Sequence, residues 1–111
     1  MTGHPDVTRV YVTAADLLDQ ARGHHSRRAA RTLVTGTSLR VTLIALADGA
    51  ALAEHDAPPA ATLHVLTGRV RLHTHDDERV LEEGDFGPVP RSRHGLTALA
   101  DSAVLLTVAL R

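Results

Sequence analysis

Histidine dominates the side chains of this sequence that are able to do chemistry. There are eight, His4, His24, His25, His55, His64, His73, His75 and His94, and an imidazole can ligate a metal or move a proton near neutral pH. The chain has no cysteine, which excludes thiol nucleophiles, disulfides and cysteine-bearing metal sites. All twelve basic residues are arginine, and without a lysine amine no Schiff-base mechanism can operate. Ser26, Ser38, Ser92 and Ser102 sit in no nucleophile motif, so a Ser-His-Asp triad has no support. His24-His25-Ser26-Arg27-Arg28 reads as a solvated polar connection, and His73-x-His75 as a strand end that resembles a metal pair by spelling alone.

The elements that must position these groups are mostly strands. One helix is expected over Thr13 to Arg22, because Ala14, Leu17, Leu18 and Ala21 recur at helical spacing while Asp16, Asp19, Gln20 and Arg22 take the other face. Thr13 is read as its N-cap, paired with Asp16, and Gly23 as the left-handed residue that ends it. From Arg31 onward short runs of Val, Leu and Thr alternate with Gly, Pro and Asp, the pattern of an all-β sandwich or barrel. Strands are expected near residues 32–34, 38–47, 51–54, 61–66, 69–74, 78–81, 86–89, 94–99 and 103–110. Turns fall at Asp48-Gly49, Thr67-Gly68, Asp76-Asp77, Gly84-Asp85 and Pro90 with Ser92. Val7 to Val12 alternates in a way that suits an added edge strand, and on that basis a homodimer is expected.

Two segments then carry a resemblance. Gly49 to Gly68, with His55 inside it, and Gly84-Asp85 followed by Pro90 and His94 resemble the two motifs of the cupin superfamily. The likeness covers roughly residues 38–110. It implies an all-β fold, a cupin double-stranded β-helix or jelly-roll-like barrel with one short N-terminal helix, in a single domain over 1–111. The N-terminal strand and helix would occupy 7–23 and the barrel about 31–110.

The departures from the family pattern matter more than the matches. His55 and His94 stand at the first ligand position of the first motif and at the ligand position of the second. The second histidine position falls on Ala57, and the glutamate position, counted back from Gly68, on Ala61. A methyl group offers no lone pair, so the resemblance implies half a metal site, His55 and His94, where stable transition-metal sites use three or more protein ligands. With Ala61, Leu63 and Val65 facing inward, alternation turns His64 outward with Thr62 and Leu66. By the same rule Val70 and Leu72 face in while Arg69, Arg71, His73 and His75 face out. A ligand pocket is therefore expected to be lined by His55, Ala57, Ala61, Leu63, Val65, His94 and Leu96, the two alanines enlarging it.

At 111 residues, with 43% hydrophobic residues and only Tyr11 and Phe86 as aromatics, the chain can close one core built from Leu, Val and Ala. The few aromatics and a net charge of -1 spread over scattered arginines argue against nucleic-acid and membrane partners. No run of eighteen apolar residues occurs, and a cytoplasmic protein is expected. The function expected first is a stand-alone barrel binding a small molecule in an apolar cavity, with no cofactor or a weakly bound Fe, Mn, Ni or Zn. The alternative is a metal-dependent oxygenase or isomerase with the metal on His55 and His94. A third role, the ligand-sensing half of a regulator, would need a partner protein, because no helix-turn-helix is present.

Overall fold

The structure, a computed structural model, describes residues 3–55 and 60–110, except for the side chains at 54 and 55. A helix, α1 (Val10–Gly23), precedes nine strands: β1 (Arg28–Thr35), β2 (Leu39–Leu46), β3 (Ala51–His55), β4 (Ala60–Thr67), β5 (Arg69–Thr74), β6 (Glu78–Glu82), β7 (Phe86–Pro88), β8 (His94–Ala98) and β9 (Ser102–Ala109). The strands form two antiparallel sheets, one in the order β1-β2-β9-β4-β7 and the other β3-β8-β5-β6. Each of the nine strands expected between residues 32 and 110 is present. The sheets face each other without closing into one continuous cylinder, so β1 and β3 are both edge strands.

The inner core is the apolar set between the sheets, including Leu46, Leu63, Val65, Val70, Leu72, Leu96, Ala98 and Val104. A second core lies on the outer face of the larger sheet, where Ala14, Leu17 and Ala21 of α1 meet Leu43, Ala45, Leu66 and Ala103. β2 is therefore covered on both faces, Ile44 and Leu46 facing the opposite sheet and Leu43 and Ala45 facing the helix. That explains an unbroken apolar run where a half-exposed strand would alternate. Leu17 is 5% exposed, and truncating a leucine so enclosed typically costs about 2–5 kcal/mol.

The N-terminus differs from its reading in the sequence. The segment from Val7 to Val12 adds no edge strand, because the helix begins at Val10 and Arg9, not Thr13, occupies the N-cap position. Val10 lies four residues before Ala14 and extends the buried stripe by a turn, an advantage that outweighs alternation. The strand on which the homodimer expectation rested is thus absent. Gly23 is the last helical residue, and it is not among the glycines with positive φ. Arg27 takes the left-handed conformation instead, with φ of 61°, reversing the chain into β1. The sheet begins earlier than expected, at Arg28.

Thr67-Gly68 makes the β4–β5 hairpin with Gly68 at φ of 85°. A β-carbon on Gly68 would collide with the backbone of Asp101 and Ser102. This turn therefore tolerates glycine alone, for its positive φ and for the closeness of its neighbours.

Candidate functional site

The site is built where β3 and β8 lie side by side. Leu52 pairs with Leu96 and His55 with His94, so two residues lie between the paired positions on β3 and only one on β8. The resulting bulge leaves the backbones of the two motif histidines directly opposite each other. The side chain of His55 and the whole of Ala57 lie outside the described residues.

His94 is 5% exposed. Its Nδ1 lies 3.1 Å from the carbonyl oxygen of Ser92. An acceptor at that distance places the proton on Nδ1 in the neutral ring and makes Nε2 the basic nitrogen. The ring contributes to an internal void whose other walls are Ile44, Leu52, Leu63, Leu72, Val89, Leu96 and Leu106. Among the described residues the lining is aliphatic apart from this one imidazole.

Of the positions read from the sequence, Leu63, His94 and Leu96 line the void. Val65 is fully enclosed in the core, and Ala61 packs against that core from a partly buried position. Ile44, Leu52, Val89 and Leu106 were not among the expected lining residues. The alternation of Ile44 with Leu46 and of Val104 with Leu106 was the available signal, but neither pair lies near the motif histidines in sequence. The void is also tighter than two alanines suggested, about 30 Å³, room for a water molecule or two. Leu63, Leu72, Leu96 and Leu106 fill the space from all sides.

His64, His73, His75, His24 and His25 lie away from this void. His64 is edge-on to Phe86, with ring centroids 6.0 Å apart, as neighbours across β4 and β7. His73 lies over Gly95 on the outer face of the smaller sheet, and His75 is exposed. His24 and His25 stack at 4.3 Å in the turn before β1, where Nδ1 of His24 is 2.6 Å from the hydroxyl of Ser26. Among the described residues no three His, Asp or Glu side chains gather in a way that would hold a metal ion. The position at which the family pattern places a carboxylate carries the methyl group of Ala61, so the donor set described does not fit a resident ion.

No family model and no curated protein matches the sequence. Solved structures do match. A cupin superfamily protein from Desulfitobacterium hafniense DCB-2 superposes with a TM-score of 0.71 at 18% identity, over 76% of this chain and 78% of that one. A conserved protein of unknown function from Streptococcus pyogenes gives 0.76 at 21% identity, over 99% and 91%. KdgF from Halomonas sp. gives 0.67 at 22% identity, over 76% and 81%. The chain has the cupin fold, the double-stranded β-helix that these structures share with RmlC-like cupins. Among the described residues no helix is long and apolar enough to cross a membrane.

Proposed function

We propose that this chain is a small-molecule-binding protein of cupin fold that works without a resident metal and receives a largely apolar guest in the space beside His94. The observation that carries this reading is the chemistry of the described lining, aliphatic except for the His94 imidazole held by the Ser92 carbonyl. Such a lining offers little to a heavily hydroxylated group and suits the apolar part of a guest. The oxygenase or isomerase alternative would need further ligands to complete an ion's coordination, and Ala61 supplies none at the carboxylate position.

Metal analysis and an NMR titration with hexanol, on protein purified without a histidine tag, test the proposal. The expected result is substoichiometric metal, together with slow or fast exchange of the His94 ring signals when hexanol is titrated into the protein. Near-stoichiometric iron, manganese, nickel or zinc that disappears in His94→Ala would replace this reading with the metal-dependent one.

A further inference from the structure

The internal void is too small for an organic guest, yet it is not isolated. Ile44 and Leu52, two of its walls, also form the back of an open groove on the side of the molecule, completed by Ser26, Arg28, Ala29 and Ala30. The groove is open to solvent on one side and offers about 340 Å³, a volume at the lower end of small-ligand sites. Its origin is topological. In the β1–β2 pairing, Ala30 sits opposite Ile44 and Arg28 opposite Leu46, so β1 carries the inner face of the larger sheet past β2 and overhangs the edge strand β3. Ala30 is too small to fill the overhang. Arg28 spans it, its guanidinium donating to the carbonyl oxygen of Ala51 at 3.1 Å.

Building on the binding function proposed above, we propose that groove and void are two ends of one site, entered between β1 and β3, and that its ligand is a short-chain aliphatic carboxylate. The carboxylate meets Arg28, and the chain runs past Ala30 and between Ile44 and Leu52 toward His94. Two observations favour this ligand. The groove is apolar along Ala29, Ala30, Ile44 and Leu52, and the cation at its end is paired with none of the described carboxylates, its recorded side-chain bond going to a neutral carbonyl. A guanidinium with donors to spare binds a carboxylate by charge-assisted hydrogen bonds, about twice as strong as neutral ones. A rotamer change of Leu52, which is only partly buried at the margin of the inner core, would join the two spaces.

Calorimetric titration of the full chain with butanoate, hexanoate and hexanol tests this. Hexanoate is expected to bind about tenfold more tightly than hexanol and more tightly than butanoate. Arg28→Gln should weaken hexanoate about tenfold while leaving hexanol unchanged. Ala30→Phe, at an exposed position on an edge strand, should abolish binding of both, with Ala30→Leu as the milder plug should the phenylalanine disturb folding. If hexanol binds and moves the His94 signals, but hexanoate binds no tighter and neither Ala30 variant matters, the guest enters elsewhere; the side entrance is then wrong and the binding function stands. If no probe binds the wild-type chain, both proposals fall.

Discussion

The imidazole of His73 covers Gly95 on the outer face of the smaller sheet. A β-carbon at position 95 would lie 2.8 Å from Cε1 and 3.0 Å from Nε2 of that ring, and 3.1 Å from the carbonyl oxygen of Leu52. The ring can swing aside, but the carbonyl belongs to the β3 backbone and cannot. Gly95→Ala is therefore expected to destabilise the fold by about 1–3 kcal/mol. Adding His73→Ala should recover only part of that loss. Urea unfolding of the single and double variants measures both, and an unchanged midpoint for Gly95→Ala would mean that β3 and β8 are not packed this closely.

Ser102, fully buried, ties the start of β9 to the β4–β5 hairpin. Its hydroxyl accepts from the Arg69 N–H at 3.0 Å, and it is placed to donate to the carbonyl oxygens of Ala100 at 2.7 Å and Arg69 at 3.1 Å. Ser102→Ala removes these partners from part-buried backbone groups, of which the Arg69 carbonyl keeps the Leu99 N–H, and a loss of about 1 kcal/mol is expected. Amide exchange at Arg69 should accelerate in the same variant. Protection of that amide equal to wild type would show that another acceptor serves it.

Arg22 joins α1 to the β8–β9 turn, its Nε donating to Asp101 at 2.9 Å while its Nη1 donates to Asp19 at 2.7 Å. The Asp101 carboxylate also accepts from the Asp48 N–H at 2.8 Å. That backbone bond first, and the Arg22 guanidinium next, hold its pKa below the ordinary carboxylate range. A pKa lowered by folding stabilises the native state above the unfolded-state value, and the gain is lost as pH falls through the folded-state value. The side chain is 37% exposed, so solvent screening limits the contribution to about 1 kcal/mol or less. Asp101→Asn should thus be slightly less stable than wild type at pH 7, the gap narrowing on acidification below the ordinary carboxylate range. Chemical denaturation at a series of pH values checks this; a gap that widens toward acid would contradict the assignment.

Much of the architecture was legible because its signals are local. Gly68 at a hairpin, Gly84-Asp85 at a turn, and the inward pairs Leu63/Val65 and Val70/Leu72 each declare themselves within a few residues. The start of the helix was misread because Val7 to Val12 satisfies two periodicities at once, and only the cover that Val10 gives the second core decides between them. The lining from Ile44, Leu52, Val89 and Leu106, and the groove beneath β1, depend on which strand edges stay apart. That is a property of long-range pairing, and no short stretch of sequence records it.

The double cover of β2 has a consequence for how the chain finds its native alignment. In a strand with one wet face, sliding by a residue drives apolar groups into water, and that penalty enforces the correct match. Leu43 to Leu46 would stay greasy on both sides after such a slip, so composition alone gives the strand no sense of which way is up. The task passes to its ends: to Arg40, which must remain at the surface, and to the reversal at Gly49, pinned through its N–H to Ala98 at 3.0 Å. Errors in threading this segment would therefore originate at the reversal, well away from the hydrophobic residues that would suffer them.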